Sequence, residues 1–292
     1  MIYQHPLAYL LGLEGAALLR AFSGYYDRDF TEARLAEVRA LLDSTDQFGE
    51  GAETGPITTA EGYRSWAGTY DQPGNGLIDL EQPIVRGILD GMPRGTALDA
   101  ACGTGRHAEY LASLGHTVIG VDCSPEMLAL ARGRVPGADF HEGDLDQLPV
   151  PDRHADVLVC ALALTHIPDL APVLAEFARV LRPGGHLVLS DSRTDRPVVT
   201  ALPGGSFGCL PHWNHLASDY LAAALPLGFQ VRRCEEPRLP YPAIDPNAKP
   251  PASLPGHPSD IWSLWPWCPA AVNAAYRDTP VLIVWDFQLG GC

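Results

Sequence analysis

The sequence predicts an α/β protein with an open, mostly parallel sheet and helices on both of its faces. Between residues 96 and 191, short apolar runs typical of buried strands alternate with stretches whose apolar residues recur at helical spacing. The helical stretches end near Gly115, Gly137 and Pro183, residue types that commonly follow a helix. Because such alternation joins parallel strands through right-handed crossovers, we expect one continuous sheet over this region.

The core elements follow one another without long loops. The strand-like runs, in order, are TALDAA, HTVIGVD, ADFHEGD, ADVLVCALAL and HLVLSDS. The helical stretches between them are RHAEYLASLG, SPEMLALARGRV and PDLAPVLAEFARVL. ADVLVCALAL is apolar almost throughout, so we expect this strand to be covered on both faces.

Helices are also predicted before the core. Residues 6–21 and 30–43 show apolar spacing near 3.6, and the second of these helices is expected to start at Thr31. Residues 44–60 are polar and contain glycine, which predicts a linker, and residues 61–92 predict one helix that leads into the first core strand. We therefore expect a helical extension over residues 1–60 and a second domain over residues 61–292.

After the core, SDYLAAALPLGF predicts a helix, and QVRRCEEPRL and PVLIVWDFQL predict strands. PYPAIDPNAKPPASLPGHP is so rich in proline that it predicts a surface excursion.

Composition restricts the possible partners. A formal net charge of −15 repels phosphate backbones and anionic membranes, so we expect neither nucleic acid nor a membrane as a partner. There is no apolar run of 18 residues and no basic leader with a cleavage site. The seven cysteines are scattered without a C-x-x-C pair, which favours a reducing compartment. We expect a cytoplasmic protein.

The stretch GTGRHA after the first core strand fits the nucleotide-binding pattern G-x-G-x-x-G/A. Gly103 and Gly105 allow the tight turn and close approach that either a dinucleotide pyrophosphate or a nucleoside with an amino-acid tail requires. Asp99 ends the first strand, and its carboxylate would repel a pyrophosphate but attract an ammonium group. S-adenosylmethionine carries an ammonium and a sulfonium, so it fits this charge pattern better than NAD.

Two further acids end successive strands. Asp122 ends the second strand, where a carboxylate accepts hydrogen bonds from ribose hydroxyls, a position that suits NAD equally well. Asp144 follows the third strand, where it can accept a bond from the adenine amine. Three acids at one sheet edge favour the sulfonium compound.

Residues 96–191 resemble the core of class I S-adenosylmethionine-dependent methyltransferases, especially bacterial enzymes acting on small molecules. The motifs that carry the resemblance are LDAACGTG, VDCSPEML, EGDLDQLP, DVLVCALALTHIPD and ARVLRPGGHLVLSD. The resemblance implies a Rossmann-like sheet of seven strands with a reversed last strand, substrate-binding and lid elements at about 193–280, and a lid role for residues 1–60. The cofactor residues that it implies are Asp99, Ala101, Gly103, Gly105, Asp122, Cys123, Met127, Asp144, Leu145 and Ala161.

Two residues are candidates for the catalytic step. The methyl group of a sulfonium is already activated, so orientation and exclusion of water dominate, and a base is needed only for a phenol or a protonated amine. His166 follows the fourth strand and is the candidate base, with helix capping or packing as its alternative role. Tyr70 either touches the methyl region or seals the lid.

The segment after the fifth strand and the C-terminal tryptophans are candidates for substrate binding. The residues concerned are Phe207, His212, Trp213, His215 and Trp262. His212 and His215 could bind a metal with Asp191, but no second acid lies nearby, so we expect no metal and favour a polar lining or surface histidines. Trp262 could contact a planar substrate or be buried against helices or a second subunit, and a homodimer is possible.

Together these observations predict a methyltransferase that acts on a small aromatic or polycyclic natural product, with oxygen or nitrogen as the favoured acceptor atom. The natural-product part, with its implication of secondary metabolism and antibiotic biosynthesis, rests on analogy. Three alternatives stay open. They are an enzyme of the same fold that uses the sulfonium only as a charge for cyclisation or decarboxylation, an NAD-dependent oxidoreductase, and a non-enzymatic cofactor-binding protein.

Overall fold

The structure is a computed structural model that describes residues 1–72, 75–194, 196–254, 257–258 and 260–291. Its contacts divide the chain into two compact units. The extension unit comprises Met1–Pro56 and Arg238–Thr279, and the sheet unit comprises Ile57–Pro237 and Pro280–Cys292.

The helices, in chain order, are α1 (Pro6–Phe22), α2 (Arg28–Asp43), α3 (Thr59–Trp66), α4 (Gly76–Leu89), α5 (Arg106–Ser113), α6 (Pro125–Arg134), α7 (Leu170–Val180), α8 (Ala217–Ala224), α9 (Ile261–Leu264) and α10 (Pro269–Tyr276). The strands are β1 (Ile2–Gln4), β2 (Ala52–Pro56), β3 (Thr96–Ala100), β4 (Thr117–Asp122), β5 (Asp139–Glu142), β6 (Ala155–Ala161), β7 (Leu181–Ser192), β8 (Val198–Ala201), β9 (Phe207–Leu210), β10 (Phe229–Glu235) and β11 (Leu282–Leu289).

The sheet unit is built on a seven-stranded sheet with the order β10-β11-β7-β6-β3-β4-β5. Strands β5, β4, β3, β6 and β7 run parallel, and β11 is antiparallel to both β7 and β10. The predicted mostly parallel α/β sheet with a reversed last strand is therefore confirmed. The carboxyl ends of β3, β4 and β6 lie next to one another, so the loops that follow them meet at one edge.

Alternation along the central strands builds two cores. Leu98 and Leu158 belong to a cluster that includes Phe177 of α7. Ala97 and Val157, one position earlier on the same strands, belong to the cluster on the other face. Burial of one such leucine or valine side chain contributes about 1.5–3 kcal/mol, so helix layers on both faces hold the sheet edge in place.

Several boundaries differ from the sequence prediction. Helix α2 begins at Arg28 rather than Thr31, because the Asp27 carboxylate accepts a hydrogen bond from the Phe30 amide and caps the helix. The predicted linker at 44–60 contains strand β2 and ends in the capping box of α3, and the region 61–92 holds two helices rather than one.

The C-terminal end of α7 also differs. This helix ends at Val180, and Pro183 lies within β7 rather than at a helix end. The register shift opposite Ala155 and Val157 accommodates this irregular start of the strand.

The extension unit packs α1 against α10 around its own core. Leu10, Phe48 and Val272 are buried there, and the Trp265 indole N–H donates to the Tyr9 hydroxyl over 3.0 Å. Strands β1 and β2 form an antiparallel pair in this unit. Residues 238–279, which the sequence assigned to the second domain, thus belong with residues 1–56, because they share this hydrophobic core. Within the described ranges, no helix is both long enough and apolar enough to cross a bilayer.

Candidate functional site

A cavity of about 470 Å³ opens in the sheet unit beyond the carboxyl ends of β3, β4 and β6. This is the edge at which open α/β sheets bind their ligands. The predicted site residues that line it are Tyr70, Ala101, Gly103, Asp122, Cys123, Asp144, Leu145, Ala161 and His166. The structure thus brings together residues that span almost a hundred positions of sequence.

The glycine loop after β3 is held by a hydrogen bond to the next strand. The Gly103 amide donates to Oδ2 of Asp122 over 2.8 Å, and a Cβ at Gly103 would meet no atom within 4 Å. Gly105 has φ +82° and precedes α5, and a Cβ there would lie 3.1 Å from Ala131 of α6. Gly103 therefore borders the cavity, whereas Gly105 allows α5 to pack closely on α6 and does not line the cavity itself.

Two residues that are not glycine adopt left-handed backbone at this edge. Ala101 follows β3 with φ 58°, and Leu162 follows β6 with φ 56°. Both line the cavity. A left-handed conformation costs such residues about 1–2 kcal/mol, and strain of this kind concentrates at ligand sites.

Asp122 uses both carboxylate oxygens to organise this edge. Oδ2 accepts from the Gly103 amide and Oδ1 accepts from the Ser124 amide over 2.9 Å, while burial raises the pKa of the carboxyl. Each oxygen keeps a second lone pair, so hydrogen bonds from ribose hydroxyls are compatible with this arrangement.

Asp99 at the end of β3 is 1% exposed, and its Oδ2 has no hydrogen-bond partner among the described residues. It lies at a small recess that it shares with Tyr70, Gly103 and Arg106. Burial raises the pKa of Asp99 to about 6. A buried, unpaired carboxylate oxygen fits an ammonium group, which would supply the missing donor and charge.

The sequence prediction missed Glu81, a buried acid behind this recess. Its Oε1 accepts from Ser190 Oγ and contacts the His107 ring nitrogen, both at 3.0 Å, and its Oε2 accepts from Arg106 over 2.7 Å. Burial opposes ionisation, but His107 and Arg106 outweigh it and lower the pKa of Glu81 to about 2. Its position in sequence, three residues after Ile78 on the apolar face of α4, was the available signal.

His166 lies on a 3₁₀ turn after β6 and contacts two groups. Its Nδ1 is 2.7 Å from the Pro211 carbonyl oxygen, and its Nε2 is 3.1 Å from the Tyr63 hydroxyl. Burial lowers the pKa of His166, which favours the neutral ring. Tyr63, which also lines the cavity, was not singled out from the sequence, because nothing in GYRSWAGTYD distinguishes it from Tyr70.

Tyr70, the other catalytic candidate, lines both the cavity and the recess of Asp99. Its ring centroid lies 5.9 Å from that of Tyr63, and burial raises its pKa to about 12. Met127, a predicted adenine contact, is fully buried within α6 and does not line the cavity, whereas Leu145 does.

His212 and His215 both bond to backbone rather than face the cavity. His212 Nε2 lies 2.6 Å from the Thr194 carbonyl, and its Nδ1 lies 2.9 Å from Thr165 Oγ1. His215 Nε2 lies 2.8 Å from the Ile167 carbonyl. Neither ring is free for a metal, and no group of three potential metal ligands occurs within the part of the chain that the structure describes.

The aromatic substrate candidates also lie away from the cavity lining. Phe207 begins β9, and Trp213 is 38% exposed with its amide bonded to the Thr165 carbonyl. Trp262 belongs to the extension unit, where its ring lies 4.5 Å from that of Trp265. Contact of these residues with a substrate stays a prediction.

Comparisons with known proteins agree with the geometry. Residues 98–189 match the model of a family described as a methyltransferase domain. The chain is 35% identical over 131 residues to a malonyl-[acyl-carrier protein] O-methyltransferase of Yersinia pestis, covering 45% of this chain and 46% of that protein. It is 41% identical over 107 residues to a demethylmenaquinone methyltransferase of Chlorobaculum parvum, covering 36% and 44%. The chain thus spans less than half the length of these curated relatives.

The fold also matches solved structures. An S-adenosylmethionine-dependent methyltransferase from Mesorhizobium loti superposes with a TM-score of 0.51 at 23% identity, covering 72% of this chain and 97% of that one. At this identity the likeness concerns the fold. The matched domain and this likeness show that the chain carries a methyltransferase domain over residues 98–189, on a sheet with the fold of S-adenosylmethionine-dependent methyltransferases.

Proposed function

We propose that this protein binds S-adenosylmethionine in the cavity of the sheet unit and transfers its methyl group to a small organic acceptor. The observation that carries the proposal is Oδ2 of Asp99, which has no partner in the described part of the chain and lies beside the glycine loop, on the same sheet edge as Asp122 and Asp144. An ammonium group would satisfy Asp99, whereas a pyrophosphate would be repelled by it.

The remaining cofactor contacts follow from the lining. Asp122 would accept hydrogen bonds from the ribose, Asp144 would accept one from the adenine amine, and Leu145 would pack on the base. Ala101, Cys123 and Ala161 complete the wall with small side chains. When bound, the sulfonium compound supplies an activated methyl group, and S-adenosylhomocysteine is the product.

The acceptor side of the cavity favours an organic molecule. Ile167, Pro168, Pro172 and Val173 line it with apolar surface, and His166 adds a group that can take part in proton transfer. We propose an aromatic or polycyclic acceptor, methylated on oxygen or nitrogen, and a role in secondary metabolism such as antibiotic biosynthesis. The two relatives act on different acceptors by name, so this proposal rests on the lining and on analogy.

We also propose a cytoplasmic setting for the protein. The cysteines among the described residues are free, which suits a reducing cytoplasm. A net charge of −15 disfavours nucleic acid as the acceptor, and a homodimer and a lid role for residues 1–60 stay predictions.

Calorimetric titration with S-adenosylmethionine and, separately, with NADH tests the cofactor. Micromolar binding of the first alone supports the proposal, whereas binding of NADH alone would show that Asp99 was misinterpreted. A panel of hydroxylated and amino-substituted aromatics is then screened by mass for the gain of one methyl group. Conversion of an acceptor without that gain would instead indicate an enzyme that uses the sulfonium only as a charge.

A further inference from the structure

The contacts of His166 define which of its nitrogens carries the proton. Nδ1 lies 2.7 Å from the Pro211 carbonyl oxygen, which can only accept a hydrogen bond. Nδ1 must therefore be the donor, and in a neutral ring Nε2 is the single acceptor.

The acceptor nitrogen of His166 already has a partner. The Tyr63 hydroxyl lies 3.1 Å from Nε2, so it donates its proton to the histidine. The two rings are edge to face at a centroid distance of 5.5 Å, an arrangement that holds the pair together by packing as well. The Nε2 lone pair of His166 is thus engaged by Tyr63, whereas the Tyr63 oxygen, on a residue that lines the cavity, keeps lone pairs that can accept a hydrogen bond.

Strands β8 and β9 pair antiparallel as a hairpin, and this hairpin positions both members of the pair. Helix α3, which carries Tyr63, packs so closely on β9 that a Cβ at Gly62 would lie 2.6 Å from Leu210. The next residue, Pro211, supplies the carbonyl that orients His166. The alignment of Tyr63 with His166 thus depends on the β8–β9 hairpin.

Resting on the function proposed above, we propose that Tyr63 is the catalytic residue that receives the acceptor proton, and that His166 acts through it. As the acceptor oxygen bonds to the methyl carbon, the carbon–sulfur bond breaks and its electron pair stays on sulfur. The acceptor proton passes to the Tyr63 oxygen while the original Tyr63 proton passes to His166 Nε2. The resulting imidazolium keeps its Nδ1–H on Pro211 and releases the extra proton to solvent after the product leaves.

The pairing itself can be tested without cofactor or acceptor. Histidine ring nitrogens of ¹⁵N-labelled protein are recorded by NMR at about neutral pH, and His166→Ala assigns the signals of residue 166. We expect a protonated Nδ1 and an unprotonated, hydrogen-bonded Nε2, with the Nε2 shift changing in Tyr63→Phe. A ring protonated on Nε2, or a Nε2 signal that Tyr63→Phe leaves in place, would overturn the proposal whether or not the protein is a methyltransferase.

The proton transfer is tested by a double-mutant cycle with the acceptor found in the mass screen. Tyr63→Phe and His166→Ala should each lower kcat by about 100-fold, and the double variant should be no slower than the slower single one, because the two residues act as a unit. The affinity for S-adenosylhomocysteine should stay within about 2-fold. Losses that multiply to about 10,000-fold would mean that the residues act independently and would overturn the proposal.

Matched variants control for general damage. Tyr110→Phe removes a hydroxyl of α5 that donates to Asp90, and His141→Asn removes a histidine on β5; neither residue belongs to the cavity lining. Both should keep kcat within about 2-fold. If S-adenosylmethionine does not bind at all, the proposed function fails, while the NMR experiment still decides whether Tyr63 and His166 form the pair.

Discussion

Replacing Asp99, the buried acid of the small recess beside the glycine loop, should separate stability from binding. Asp99→Asn removes the charge of a carboxylate whose Oδ2 has no partner within the described ranges, while nearly keeping its shape. We expect the unliganded protein to become more stable at about pH 8 and its affinity for S-adenosylhomocysteine to fall.

The magnitude follows from the pKa of Asp99, which burial raises from 3.8 to about 6. A raised carboxyl pKa means that the folded state disfavours ionisation, and this difference lowers the free energy of unfolding by about 3 kcal/mol above pH 6. The side-chain N–H₂ group that Asp99→Asn introduces also lacks a hydrogen-bond partner, which reduces the expected gain in the free energy of unfolding by about 1–2 kcal/mol. A net gain of about 1–2 kcal/mol remains. This gain in stability should vanish as the pH falls from 6 towards 4, because the carboxyl of wild-type Asp99 is then protonated and, like the asparagine side chain, carries no charge.

The assay is urea denaturation of both proteins at about pH 8 and pH 4, with calorimetry of S-adenosylhomocysteine at the higher pH. Loss of a hydrogen bond between opposite charges should weaken binding by about 10- to 100-fold. The matched control is Asp156→Asn. Although burial opposes ionisation there, Arg182 and the Thr96 amide lower the pKa of Asp156, so this variant should lose stability and keep its affinity. A loss of stability at pH 8 in Asp99→Asn, or unchanged affinity, would refute the reasoning.

Three further outcomes are expected. Glu81→Gln should lower the free energy of unfolding by about 3–5 kcal/mol in urea denaturation, because it leaves the largely buried Arg106 guanidinium without its counter-charge. Gly105→Ala should cost about 1–3 kcal/mol in thermal denaturation, since φ is +82° and the added Cβ would lie 3.1 Å from Ala131. The acid limb of the kcat–pH profile should lie below pH 6.5, because burial lowers the pKa of His166 from that value and only the neutral ring can take a proton.

Each of these has its own control. Glu126→Gln breaks an exposed ion pair with Arg64 and should lower the free energy of unfolding by less than about 1 kcal/mol. If Glu81→Gln lowered it by no more than this, the buried contacts of Glu81 would not stabilise the fold as expected. Gly133→Ala places a Cβ in open space on α6 and should not destabilise the protein. His141→Asn should leave the acid limb in place, and an acid limb that persists in His166→Ala would assign it to another group.

Local sequence was enough to predict one half of the candidate site. The turn at Gly103 and the acid Asp122 are each specified within a strand–loop–helix unit, because strand ends at one sheet edge are neighbours in any parallel α/β sheet. The cavity lining confirms that Ala101, Gly103, Asp122 and Leu145 lie together. It also separates Met127 and Gly105 from the lining, since these two pack in or against α6.

The other half depends on contacts between distant segments. Tyr63 and His166 are 103 residues apart, and His166 and Pro211 are 45 apart. Glu81 and Ser190 are 109 apart. No periodicity within a single element encodes such pairs, because they depend on how α3, α4 and the β8–β9 hairpin pack on the sheet.

The sequence by itself determined the parallel sheet and the acids at the ends of its strands, because hydrophobic periodicity and the glycine turn act over short stretches of chain, while the reversed edge followed from the family resemblance. Only the tertiary structure decided which aromatic hydroxyl lies against His166, that His212 and His215 bond to backbone carbonyls, and that residues 238–279 share a core with residues 1–56. The physical reason is that side-chain partners are chosen by packing, which joins segments far apart in the chain.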